Sequence, residues 1–355
     1  MAKVKLCPEC GIPRHVGNQI IWRDNGTMAQ RRNPEHRSVL MESENIDGVF
    51  HELEQIIAHP IEHIIIESRR RSSADYLEKI VPGVLRRIGR FVGIKPVMSR
   101  MSNIAKALGY GDMELVEMRW KRDADDYSIL RVRDPYSLPL ICGDVAGTIH
   151  VFEGREVSVT YERKAPLEYE LEVRIESRPP ELRERLAWRE YVYKDGDIGL
   201  ERCSRCGVPR AVQEFEYNVS KGIMLNKRTG RRMVGIGPAA LEAIFDELER
   251  ELGENIPEAI IEAQRRFVTG GFFSKREIES EHDFRLQFAL RGWGNLKELD
   301  FSAQSLRCRL ENACLHLLIV GMLLGFYELV YEQSGDVDWK LKEDGDLLVV
   351  VSPRE

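Results

Sequence analysis

Apolar positions in this chain fall into short alternating runs and longer helical rhythms, and the same succession of the two is written twice. Ile20-Ile21-Trp22 reads as a strand ahead of an Asn25-Gly26 turn. Further on, Leu241, Ile244, Phe245 and Leu248 recur at helical spacing and predict an amphipathic helix. Helix-prone residues also run from Tyr76 to Phe91. Ser128 to Val132 has strand character, and Val157, Val159 and Tyr161 alternate before Tyr169, Leu171 and Val173 return, as a hairpin would. A second such hairpin is predicted around Asp344-Gly345-Asp346, with Trp339 and Leu341 before it and Leu348-Val349-Val350 after it. Leu315 to Tyr327 is the most apolar stretch, interrupted only by His316. It stops at Glu328, short of the about 20 residues a membrane span requires, and so predicts a buried core helix. The whole is an α+β pattern, with antiparallel hairpins and packed helices.

The repetition extends to particular residues. Phe50-His51-Glu52-Leu53-Glu54 returns as Phe245-Asp246-Glu247-Leu248-Glu249, and Ile65-Ile66-Glu67 with Arg70-Arg71 returns as Ile260-Ile261-Glu262 with Arg265-Arg266. Gly109-Tyr110-Gly111 matches Gly292-Trp293-Gly294, and Gly143/Gly147 matches Gly321/Gly325, a spacing that lets helix backbones approach closely. The order is kept throughout, which marks a tandem duplication. Residues 1–176 form the first copy and 199–355 the second, and 177–198, with Pro179-Pro180 and a charged run, form a linker.

Each copy opens on a metal-binding knuckle, Cys7-Pro8-Glu9-Cys10-Gly11 and Cys203-Ser204-Arg205-Cys206-Gly207. The two-residue spacing lets both thiolates reach one ion, and glycine tolerates the left-handed turn that follows. One knuckle supplies two ligands and a closed structural zinc site needs four, so the reading is a zinc shared between the copies. Iron, or an iron-sulfur cluster, has the same ligand count. Pairing between chains in a homodimer or with a partner protein, and metal-free dithiols, stay open as alternatives.

Residues 109–174 resemble the 4-vinyl reductase domain family. The likeness lies in Gly109-x-Gly111, Val132-Arg133-Asp134-Pro135, Cys142-Gly143-x-x-Ala146-Gly147 and Gly154-Arg155-Glu156-Val157-x-Val159, and the second copy keeps the outline. The resemblance implies the α+β fold of a wider group that includes haem-NO-binding-type sensors and a vesicle-tethering subunit. It also implies binding of a small hydrophobic or aromatic molecule. The family's closing-hairpin cysteines are absent here, since neither 155–176 nor 334–355 holds one.

Other polar candidates are fewer. Glu67 with Arg70 and Arg71, and Glu262 with Arg265 and Arg266, are spaced for surface ion pairs within a helix, or for gripping a carboxylate or phosphate. Arg14 and Arg210 follow the knuckles and suit either backbone contacts or an anion. Arg31-Arg32 with Arg37, and Lys227-Arg228 with Arg231-Arg232, read as basic turns that could touch nucleic acid, although a net charge of -6 argues against a dedicated nucleic-acid binder. His316, Cys314 and His150 are candidate haem or metal ligands, with core histidines the plainer reading. No catalytic triad, phosphate loop or dinucleotide fingerprint is present, so the enzyme reading, acting in tetrapyrrole or aromatic metabolism, has only the family's name behind it. With 43% hydrophobic residues and no apolar leader before Cys7, the expected setting is the cytoplasm.

Overall fold

The computed structural model describes residues 5–31, 33–84, 86, 95–176, 191–253, 255–279, 281 and 283–354. The fold is α+β, with helices packed against antiparallel sheets. Residues 177–190 of the expected linker, and 85 and 87–91 of the expected helical stretch, lie outside the described residues.

The chain forms two compact units, and each draws on both halves of the sequence. The larger comprises Met1–Pro60, Arg189–Glu214 and Ile236–Glu355, and the smaller Ile61–Trp188 and Phe215–Gly235. The repeat copies and the packed units are thus different partitions of one chain.

In the larger unit, β1 (Ile20–Trp22), β2 (Met28–Gln30) and β3 (Asn33–Glu42) form an antiparallel meander in register Ile20↔Gln30 and Met28↔Ser38. The buried end of β3, Val39-Leu40-Met41, runs into the helix Ser43–Ile57. That helix packs on Ile256–Phe267, which in turn packs on the helix His316–Tyr331. The last of these is the expected apolar core helix, and no helix among the described residues is long and apolar enough to cross a membrane. Strands β11 (Asn295–Phe301), β12 (Leu306–Glu311), β13 (Gly335–Leu341) and β14 (Leu347–Pro353) complete the unit as a sheet of order β11-β12-β14-β13. The described end of the linker is also tied down here. Tyr191 donates to Glu242 at 2.6 Å, and the Lys194 ammonium reaches Asp346 at 2.6 Å.

The smaller unit repeats the plan. Strands β4 (Asp112–Arg119), β5 (Tyr127–Arg133), β6 (Val157–Ala165) and β7 (Glu168–Ile175) form a sheet of order β4-β5-β7-β6. The helices Glu62–Ile80 and Leu138–Glu153 pack against each other. A hairpin from the second half of the sequence joins them: β8 (Phe215–Asn218), β9 (Ile223–Asn226) and β10 (Arg232–Ile236).

The paired glycines set both helix contacts. A Cβ on Gly143 would lie 2.5 Å from the Arg69 Cβ and 2.7 Å from the Ile66 carbonyl oxygen. On Gly321 it would lie 2.4 Å from the Ile261 carbonyl oxygen and 2.7 Å from the Gln264 Cβ. The two units therefore pack the same register of helix against helix, and the spacing excludes any side chain there.

Candidate metal centre and the exchanged hairpins

The two knuckles have the same local geometry. In the first, the Gly11 amide donates to the Cys7 carbonyl and the Cys7 amide to the Ile12 carbonyl, both at 2.8 Å. In the second, Gly207 donates to Cys203 and Cys203 to Val208, both at 2.9 Å. The glycines have φ of 72° and 71°, the left-handed region in which a side chain is strained.

All four cysteines meet within the larger unit. Their sulfurs lie within 4.8 Å of one another, with Cys7 to Cys203 at 3.9 Å and Cys10 to Cys206 at 3.5 Å. A tetrahedral ion with metal–sulfur bonds of about 2.3 Å spaces its ligands about 3.8 Å apart, so the donor set matches one ion. A multi-iron cluster inserts iron and sulfide between its ligands and would hold them farther apart. Cys7, Cys10 and Cys203 are buried and Cys206 partly so, which leaves little room for an exchangeable ligand. Four close cysteines can hold a metal ion here.

Local electrostatics favour thiolate at one member. Backbone amides of Cys10 and Glu9 point at the Cys7 sulfur and lower its pKa to about 6, whereas burial pushes Cys10 up to about 12 and raises Cys206. A bound cation would relieve that second cost, since thiolates are its ligands. Around the site, the Gln213 side-chain amide donates to the Cys10 carbonyl at 2.7 Å, and Ser204 donates to Glu9 at 2.7 Å. Arg210 is taken up by Glu9 at 2.6 Å and Glu201 at 3.0 Å, while Arg14 is exposed at the start of the helix Arg14–Gln19.

The Glu-x-x-Arg-Arg patterns form the expected pairs. Arg70 and Arg71 reach Glu67 at 2.6 and 2.9 Å, and Arg265 and Arg266 reach Glu262 at 2.6 and 2.7 Å. Further carboxylates share the load: Glu156 on Arg70 at 2.7 Å and Glu328 on Arg265 at 2.6 Å. One expectation needs correcting, because Arg70 and Arg71 are buried rather than on the surface. The close approach of the helix Leu138–Glu153, set by Gly143 and Gly147, covers them.

The basic turns also differ from expectation, and they supply the feature that sequence reading missed. Arg37 is buried and donates to the carbonyls of Gly292 (3.0 Å), Asn312 (2.6 Å) and Ala313 (3.2 Å). Arg232 does the same in the smaller unit, to Gly109 and Pro135 at 3.0 Å each and to Asp134. Asn312 and Asp134 both turn with positive φ, 55° and 50°, which aims their carbonyls at the guanidinium. Amides complete the clip: Gly294 donates to Gly26 at 3.1 Å, and Gly111 to Gly222 at 2.9 Å. In each unit, then, a hairpin from one half of the sequence is clipped to the Gly-aromatic-Gly turn of the other half. These arginines are spent on backbone, not displayed for phosphate. The available signal was their equal place in the repeat beside apolar runs, Val39-Leu40-Met41 and Met233-Val234. Arg32 lies outside the described residues, while Lys227 and Arg228 are exposed.

His150 faces Glu156 at 3.0 Å, and His316 packs on the Trp339 ring at 5.2 Å, so neither joins the cysteine group. Comparison with protein-family models and with curated proteins finds no match for this chain.

Proposed function

We propose that this is a small-molecule-binding protein whose larger unit is fastened by one structural zinc ion on Cys7, Cys10, Cys203 and Cys206. The observation that carries the metal half is the convergence of four sulfurs within 4.8 Å from knuckles 196 residues apart in sequence. All-thiolate, largely buried ligation suits a closed structural ion and not a catalytic one. Such an ion pins the first knuckle to the second, and with it the hairpin β1–β3 to the unit it completes. The binding half is supported by the likeness of residues 109–174 to 4-vinyl reductase domains, whose members enclose small hydrophobic or aromatic ligands.

The test is elemental analysis joined to native mass spectrometry of the purified chain. One zinc per chain, lost in Cys203→Ser but kept in Cys142→Ser, is the expected result. Loss of the ion should lower the melting temperature by ten degrees or more, since a structural zinc contributes on the order of 10 kcal/mol in small domains. Full metal content and unchanged melting in Cys203→Ser would sink the shared site. Iron in place of zinc would turn the reading toward redox chemistry.

A further inference from the structure

The repeat provides an internal control on which buried polar groups the fold needs. Glycine contacts equate Arg69 with Gln264, Ser73 with Val268 and Gly143 with Gly321, and the clips equate Tyr110 with Trp293 and Tyr136 with Cys314. Asp144, next to Gly143, then corresponds to Met322. In the larger unit this set is closed: Gln264, Val268, Trp293, Cys314 and Met322 are all buried. The Trp293 indole donates to the Leu40 carbonyl at 3.0 Å, and Gln264 donates to Asn45 at 3.0 Å.

The smaller unit holds a charged network in the same place. Asp144 accepts from Arg69 Nε at 2.8 Å and Nη2 at 3.2 Å, from Ser73, and from the Tyr136 hydroxyl at 3.3 Å. The Tyr110 ring stacks on Tyr136 with centroids 4.3 Å apart. A buried ion pair costs desolvation, and an apolar set of similar volume is as stable or more so. The larger unit builds the same helix contact without it, so the network answers a need other than folding.

Its saturation points to the group that is left over. The Asp144 carboxylate takes two bonds on each oxygen, from Arg69 and Ser73 on one and from Arg69 and Tyr136 on the other. The Arg69 guanidinium also acts electrostatically on the Tyr110 phenol. Burial holds the Tyr110 proton on, raising the phenol to about 12, so its hydroxyl stays a donor. Tyr110 and Asp144 retain accessible surface, 20% of the Asp144 side chain, where Trp293 and Met322 have almost none. Nearby Tyr76 is also partly open and packs on Ala74, Leu77, Val151 and Phe152, an apolar floor. Both peptide neighbours of Tyr110 are held by the exchanged hairpin: the Gly109 carbonyl by Arg232, and the Gly111 amide by Gly222.

We infer that Tyr110 is the hydrogen-bond donor of a ligand site in the smaller unit, taking an oxygen acceptor carried on a small apolar molecule, with Arg69 polarising the phenol and Asp144 and Tyr136 positioning Arg69. This rests on the small-molecule reading and locates it in one unit. The equivalent place in the larger unit is filled by Trp293.

Ligand-observed saturation-transfer NMR on the full chain tests it with two probes, acetophenone, which has a carbonyl acceptor, and ethylbenzene, which lacks one. Acetophenone should bind about tenfold more tightly than ethylbenzene, the worth of about one buried hydrogen bond. Tyr110→Phe should erase that preference while leaving ethylbenzene binding and the melting temperature in place, and Trp293→Phe should leave the preference intact. Binding of both probes with an undiminished preference in Tyr110→Phe would overturn the site but not the small-molecule function. Failure of both probes to bind would overturn that function and the site with it.

Discussion

The two units clip their hairpins identically and fill the space under the clip differently. Arg37 and Arg232 each bind three carbonyls of an equivalent turn, and Gly321 and Gly143 each let one helix backbone touch another. Beneath these shared features, one unit places Gln264, Met322 and Cys314 and the other Arg69, Asp144 and Tyr136. What recurs is what the backbone requires. What differs is what the backbone leaves free, and side-chain chemistry there can be turned to binding.

Substitutions can break this comparison at each level. The largest effect should come from the clips. Replacing either arginine with methionine (Arg37→Met or Arg232→Met) removes three charged hydrogen bonds and strands their carbonyls, a loss of about 3–4 kcal/mol. Denaturant unfolding should show similar losses for both; a neutral result at either would end the equivalence. Next comes the ion pair. Asp144→Asn should cost about 3 kcal/mol because it leaves Arg69 buried without its counter-charge, whereas the double change Arg69→Gln with Asp144→Met, copying the larger unit, should restore most of that stability. A double variant as unstable as the single one would mean the charges are needed for folding after all.

Smaller again is the cost of crowding the helix contacts. Gly143→Ala and Gly321→Ala should each destabilise by about 2 kcal/mol, since their Cβ atoms would meet backbone oxygens at 2.7 and 2.4 Å. The smallest effect concerns acid. Hydrogen bonds from Arg265, then Arg266, hold Glu262 at about 2 against an ordinary 4.5. Its folded pKa is depressed, so the stability it lends is full above about 4.5 and disappears as the pH falls toward 2. Glu262 is partly exposed, so Glu262→Gln should flatten the pH dependence of the melting temperature in that window by only a few tenths of a kcal/mol.

Much of this protein is local, and local features are legible. The helix His316–Tyr331 follows from an apolar run, the hairpin β13–β14 from Asp344-Gly345, and the knuckles from two-residue cysteine spacing with glycine after. The pairing of Glu67 with Arg70 and Arg71 follows from helical periodicity alone. Duplication is equally plain, because equal residues recur in equal order.

The partners of the hairpins were not legible in the same way. Arg37 and Arg232 read as solvated turn residues because a sequence records charge and spacing, not which carbonyls a distant turn will present. Similar halves offer each hairpin two nearly equivalent docking places, its own half and the other, and the repeat pattern is the same for both. Burial of Arg37, the three carbonyls on each arginine and the fit of Gly26 against Gly294 exist only once the chain has crossed over. The sequence by itself determined the elements, the repeat and the four paired cysteines. Tertiary structure alone decided that each unit would be finished by the other half, and that Arg69 and Tyr136 would meet on the Asp144 carboxylate, because those contacts join residues whose separation carries no periodic signal.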